Sequence, residues 1–142
     1  MHEVFVYGTL KKGFPNFAIG MPGALFSGRY RSVEAFPLIV GGPWHSPYLI
    51  NEPGSGYRVF GELFDVTAEH LTRLDSFEST HLPNGYKRLK IKVASVSGDE
   101  IRSAWAYLKD GESIGGIHSD PMPEYHLDPH YIRPDDPRRG GG

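Results

Sequence analysis

Short runs of apolar or alternating residues recur along the chain, each closed by glycine, proline or asparagine. Val4–Tyr7, Gly28–Ala35, Pro37–Val40, Tyr48–Asn51, Arg58–Val66, Arg88–Val96 and Ile101–Leu108 read as strands. The breaks between them carry turn chemistry: Gly41-Gly42-Pro43, Pro53-Gly54-Ser55-Gly56, and Ser97-Gly98-Asp99-Glu100, which suits a hairpin. One segment has a helical period instead. It starts at Thr67, a suitable N-cap with Glu69 in the first turn, and runs to about Glu78 or Ser79, before Pro83-Asn84-Gly85 forbids continuation. The last stretch, "HSDPMPEYHLDPHYIRPDDPRRGGG", is broken by prolines at 121, 123, 129, 134 and 137 and has no period. An extended tail over 126–142 with a disordered end is expected, following a single domain over 1–125.

Many short strands with a single marked helix predict an α+β domain: a curled or closed sheet, mainly mixed or antiparallel, with the helix packed across one end. The composition agrees. A chain of 142 residues with 39% hydrophobic content fits one core, and 18 glycines with 12 prolines favour turns over long helices. Fifteen basic and 17 acidic residues are interspersed, so no nucleic-acid groove or polybasic membrane patch is expected, and the partner is a small molecule. Oligomeric state is not legible. The absence of cysteine removes disulfides and thiolate chemistry and suits a reducing compartment. No apolar run approaches the ~20 residues of a membrane span, and the N-terminus lacks a basic leader pattern. A soluble, cytoplasmic protein is expected.

The apolar run Val4–Tyr7 gives way abruptly to Gly8-Thr9-Leu10-Lys11-Lys12. Gly8 and Gly13 satisfy half of a phosphate-binding loop, but Phe14-Pro15 stands where Lys-Ser/Thr is required, and that reading fails. Two readings stay open. A strand ending in Gly-Thr-Leu leaves successive backbone N–H groups free to converge on a carboxylate; alternatively it is an ordinary turn followed by solvated lysines.

In the helical segment, Leu71, Leu74 and Glu78 follow an i, i+3, i+7 pattern, with Glu78 only ~20° from Leu71 around the axis. A carboxylate on the buried face of the last turn would be harder to ionise, both through desolvation and through the negative end of the helix dipole. Such a group suits general-base work near neutral pH. If the helix ends a turn early, Glu78 is a solvated loop residue instead. Asp75 pairs with Glu78 or, as an exposed residue, caps its own turn.

Other chemistries find little footing. Of the histidines at 2, 45, 70, 81, 118, 126 and 130, only His126 and His130 are close, and Pro129 breaks the helix that would align them, so no metal is expected. Gly54-Ser55-Gly56 is a turn ahead of a strand, not the strand-to-helix elbow of a serine nucleophile. Trp44, Tyr48, Tyr86, Trp105 and Tyr107 read as core or pocket wall.

Three stretches together, "VFVYGTLKKGFPN", "FPLIVGGPWHSPYLINEPGSGYRVFGELFDV" and "LTRLDSFES" followed by "YKR", resemble the γ-glutamylcyclotransferase-like family, in particular its γ-glutamylamine cyclotransferase branch. The resemblance runs from about Val4 to Arg88. It implies a small mixed β-barrel with short helices around it, and release of 5-oxoproline and a free amine, such as lysine from γ-glutamyl-ε-lysine, without a cofactor. Carried over by position, Tyr7, Gly8, Thr9 and Leu10 would bind the γ-glutamyl group, Glu78 would be the catalytic acid/base, and Tyr86 would line the pocket. Action on γ-glutamyl amino acids, or a non-catalytic binding module of the same fold, are the alternatives. Two segments depart from the pattern, "STHLPNG" after Glu78 and the Pro/His-rich end beyond Leu108. Both are places where the leaving amine would be recognised.

Overall fold

The computed structural model describes residues 1–139. Seven strands and two α-helices follow in the order β1 (His2–Val6), α1 (Phe17–Gly20), β2 (Leu25–Phe36), β3 (Leu38–Gly41), β4 (Ser46–Leu49), β5 (Tyr57–Val66), α2 (Ala68–Phe77), β6 (Lys87–Ser95) and β7 (Ile101–Leu108). All the strands expected from the hydrophobic pattern form; Ile101–Leu108 matches at both ends, and the ends of the others shift by at most three residues. α1 was not foreseen, because four residues carry no period.

Five strands close a barrel in the order β1-β5-β2-β6-β7. β1 pairs antiparallel with β5 (Val4 opposite Phe64) and parallel with β7 (Val4 opposite Trp105), so the barrel is mixed. β3 and β4 form a separate hairpin. Closure depends on bending the long β2. Its register against β5 shifts between Phe26 and Gly28 and again between Arg31 and Ala35. At the second shift the fully buried Ser32 hydroxyl donates to the Glu34 carbonyl at 2.6 Å and accepts the Val59 N–H at 2.8 Å, satisfying groups that the irregular ladder leaves.

The two faces of β1 explain why it is apolar throughout. Alternation sends Phe5 and Tyr7 into the barrel core with Leu38, Leu63, Val93 and Leu108, while Val4 and Val6 face outward under Leu71 and Leu74 of α2. A strand buried on both faces has no polar side to show. α2 begins where the pattern predicted: the Thr67 hydroxyl accepts the His70 N–H at 3.0 Å. His70 turns inward and its Nε2 meets the Gly20 carbonyl at 2.8 Å, tying α2 to α1.

The C-terminal segment is extended, as its prolines predict, but it is fastened to the barrel. Tyr125 is fully buried in the core, and its carbonyl accepts Lys11 Nζ at 2.8 Å. Lys11 is therefore a buried group and not the solvated lysine of the simpler reading. Farther on, the Ile132 N–H donates to the Trp44 carbonyl at 2.9 Å, holding the segment against the β3–β4 turn. The disorder expected at the very end concerns residues 140–142, which lie outside the described residues. No described helix is long and apolar enough to cross a membrane.

Candidate active site

Where β1 ends, the chain leaves the ladder but the Tyr7 side chain stays buried. Its hydroxyl donates to the Tyr107 carbonyl at 2.6 Å and accepts the Leu49 N–H at 3.4 Å. The turn that follows consumes carbonyls: the Lys11 N–H bonds Gly8 O at 3.1 Å and the Asn16 N–H bonds Thr9 O at 2.9 Å. The N–H groups of Gly8, Thr9 and Leu10 donate to no acceptor among the described residues. Buried N–H groups are seldom left unpaired, so a run of three beside a cavity is a ready anion cradle. Gly8 is required for shape, since a Cβ there would lie 2.7 Å from Pro47 Cγ of β4.

The second element is the end of α2. The helix stops at Phe77, so Glu78 is its C-cap and not part of its last turn, a correction of one or two residues to the predicted helix end at Glu78 or Ser79. Ser79 follows with φ 56°, in the left-handed region, and a Schellman closure forms: the Ser79 N–H bonds Ser76 O at 3.1 Å and the Thr80 N–H bonds Asp75 O at 3.0 Å. The Glu78 backbone is held from both sides, its N–H by Leu74 O at 2.8 Å and its carbonyl by the Tyr86 N–H at 3.2 Å. Near-helical angles at the cap, φ −87° and ψ 4°, keep its side chain close to the stripe begun by Leu71 and Leu74.

Asp75 makes neither of the arrangements foreseen for it. Its carboxylate accepts the Tyr107 hydroxyl at 2.8 Å and pairs with Arg88 at 2.9 Å, fixing the helix end to β6 and β7. These partners lie on strands that no local pattern connects to the helix.

Tyr7, Gly8, Thr9, Leu10, Glu78 and Tyr86, the residues singled out in the sequence, all line one cavity of about 660 Å³. The cavity also takes residues that sequence reasoning missed or did not assign to it: Lys109 just after β7, Asn84 in the loop after α2, and Tyr131, Pro134 and Arg139 from the C-terminal segment. Of the aromatics, Trp44, Tyr48, Tyr86 and Tyr107 are wall, whereas Trp105 lies under the Arg88 and Lys90 cations on the barrel. For Lys109 the available signal was a lysine directly following the apolar run Ala104–Leu108.

The electrostatics centre on Glu78. Burial raises its pKa from 4.5 to about 7, against the opposing influence of the Lys109 charge. Glu78 is half-buried and lines the cavity. Lys109 is itself buried; desolvation lowers its pKa while Glu78 pushes it back up. Its Nζ donates to the Asn84 carbonyl and lies 5.1 Å from the ring centres of both Tyr48 and Tyr86. Burial likewise lifts the Tyr7 and Tyr86 hydroxyls well above their ordinary values, so both remain protonated donors; that of Tyr86 is spent on the Pro47 carbonyl at 3.0 Å. Among the described residues, no three His, Asp or Glu side chains stand together as a metal site. The arrangement offers an anion cradle, a carboxyl group that exchanges its proton near neutral pH, and a nearby cation, in a cleft walled by tyrosines.

Comparison with known proteins gives a consistent picture. The family model described as gamma-glutamyl cyclotransferase, AIG2-like, matches residues 4–127. A Bos taurus protein named gamma-glutamylaminecyclotransferase is 45% identical over 95 residues, which are 64% of this chain and 55% of that protein. Danio rerio gamma-glutamylaminecyclotransferase B is 39% identical over 116 residues, 77% of this chain and 60% of that protein. The alignments thus span a little over half the length of these relatives. The crystal structure of an AIG2-like protein from Mus musculus superposes with a TM-score of 0.80 at 31% identity, covering 96% of this chain and 98% of that one.

Proposed function

Because the chain belongs to the gamma-glutamyl cyclotransferase, AIG2-like family, we propose that it is a γ-glutamylamine cyclotransferase that releases 5-oxoproline and a free amine, with Glu78 as the acid/base. The observation that carries this reading is one cavity holding both a carboxyl group with pKa near 7 and a loop of unpaired N–H groups.

The reaction asks little else of the protein. The α-amino nitrogen of the γ-glutamyl group attacks its own γ-carbonyl carbon, a C–N bond closes the five-membered lactam, and the bond to the leaving nitrogen breaks. The α-ammonium must lose a proton before it attacks, and the departing amine must gain one. Glu78, near half-ionised at neutral pH, takes the first and returns the second, a contribution of roughly 10²–10⁴-fold. The cradle at Gly8, Thr9 and Leu10 receives the α-carboxylate and, with Tyr7 and Tyr86 as walls, keeps the glutamyl chain folded over its own carbonyl. Such prepaid orientation is worth ~7–11 kcal/mol of barrier at best. Lys109 keeps the Glu78 carboxylate from becoming too basic to ionise. The small-molecule substrate, and a cytoplasmic setting in keeping with a chain free of cysteine, complete the reading.

The test is release of 5-oxoproline from γ-glutamyl-ε-lysine, γ-glutamyl-alanine and glutathione. Turnover of the first, lost in Glu78→Gln, is expected. Silence on all three refutes the activity, and full turnover by Glu78→Gln refutes the assignment of the base.

A further inference from the structure

One charged group of the cavity has no task in the proposed reaction. Arg139 reaches the cavity from the C-terminal segment, with Nε and Nη2 donating to the Ile132 carbonyl at 2.9 and 2.7 Å and Nη2 lying 3.4 Å from the Tyr131 hydroxyl. Its guanidinium stands 5.3 Å from the Trp44 ring centre and 5.8 Å from that of Tyr131. The backbone and two aromatic faces therefore set its position. Yet among the described residues Nη1 has no acceptor and no carboxylate pairs with Arg139; Arg29, Arg88, Arg102 and Arg138 each have such a partner, and of the arginines without one only Arg139 lines the cavity. A planar cation held rigid but left without an anion is built to receive a carboxylate.

This wall is tied to the glutamyl end of the cavity. Asn16 Nδ2 donates both to the Thr9 hydroxyl at 2.8 Å and to the Tyr131 hydroxyl at 2.9 Å, so cradle and C-terminal segment share one side chain. The two unpaired cations also serve different neighbours: the Lys109 charge acts on Glu78, that of Arg139 on Tyr48. With the glutamyl carboxylate assigned to the N–H cradle, Arg139 is left for an anion on the other part of the substrate.

We propose that Arg139, framed by Trp44, Tyr131 and Pro134, binds a carboxylate carried by the leaving amine, so that among γ-glutamylamines the enzyme favours those whose amine bears a carboxylate, such as lysine joined through its side-chain nitrogen, over those of plain amines. This rests on the function proposed above. It makes the C-terminal segment a specificity element.

The test compares γ-glutamyl-ε-lysine with γ-glutamylcadaverine, which lacks only the lysine carboxylate, in the wild type and in Arg139→Gln, where the amide keeps a donor for the Ile132 carbonyl. The wild type is expected to favour the lysine conjugate in kcat/KM by roughly tenfold or more, the scale of a charge-assisted pair, and Arg139→Gln to erase the preference through KM. No preference in the wild type, a preference retained in Arg139→Gln, or an equal loss on both substrates overturns the proposal. A second readout needs no turnover: binding of Nε-acetyl-lysine against N-acetylcadaverine by calorimetry. Weaker binding of the former by Arg139→Gln supports the subsite even if neither conjugate is cleaved, a result that would refute the activity alone; equal binding by both proteins overturns the subsite.

Discussion

The backbone N–H of Tyr86 donates to the carbonyl of Glu78 at 3.2 Å, closing the loop between them into a ring. The residue that walls the cavity thereby also fixes the residue that carries its titrating carboxyl. Since Lys109 lies 5.1 Å from the Tyr86 ring centre, carboxyl, wall and cation form one unit.

The pH–rate profile should expose that unit. Only the ionised form of Glu78 accepts a proton, so kcat/KM rises with pH through a midpoint near 7. Lys109 favours the charged form, and Lys109→Met removes that help. The acid limb of the variant is expected to move to higher pH, as measured by 5-oxoproline release between pH 5 and 9. A midpoint that stays in place shows that the two charges are not coupled.

Stability carries the same signature. The folded protein holds the Glu78 proton more tightly than the unfolded chain does, so this group's favourable contribution is complete below the ordinary carboxylate value of 4.5 and lost as pH rises to about 7. Urea unfolding should show stability falling across that window. Glu78→Gln, which cannot ionise, is expected to flatten the fall and to be more stable than the wild type at pH 8 by on the order of 2 kcal/mol, allowing for water in the cavity. An unchanged slope would mean that Glu78 is solvated.

Much of this site was legible because its two halves are local. The cradle is a strand end with a glycine, and Glu78 sits at the close of a helix whose apolar spacing points it inward. The remainder depends on pairings across the fold. Lys11 is buried through the carbonyl of Tyr125, and Asp75 is neutralised by Arg88 on a later strand. Tyr131 and Arg139 belong to a segment whose prolines erase any period, and only the hydrogen bonds from Asn16 and Ile132 bring it to the cavity wall. Distances of this kind leave no trace in a window of a dozen residues.

Ser79 and Gly85 give opposite expectations within one loop. Ser79 holds φ 56°, which costs a residue with a Cβ roughly 1 kcal/mol, so Ser79→Gly is expected to raise Tm. Gly85 has no such angle to explain it. A Cβ at that position would lie 1.8 Å from the Ser79 carbonyl oxygen, so Gly85→Ala must pull the loop away from Glu78. Loss of both stability and turnover is expected, measured by thermal unfolding and by the assay. A well-folded, active Gly85→Ala protein would mean that the loop does not position the carboxyl.

Gly8→Ala separates binding from proton transfer. The added Cβ would stand 2.7 Å from Pro47 Cγ, closer than real contacts allow, and a proline ring closed onto its own backbone cannot swing aside. The cradle must shift relative to β4, misaligning the N–H groups proposed to receive the glutamyl carboxylate, while Glu78, anchored by Leu74 and Tyr86, keeps its surroundings. Overpacking of this kind costs about 1–3 kcal/mol. The expected outcome is therefore a kcat/KM reduced by roughly tenfold to a hundredfold, with KM raised and the midpoint of the pH profile still near 7. A shifted midpoint would place the damage at the carboxyl group and would remove the distinction between a loop that holds the substrate and a helix end that moves its proton.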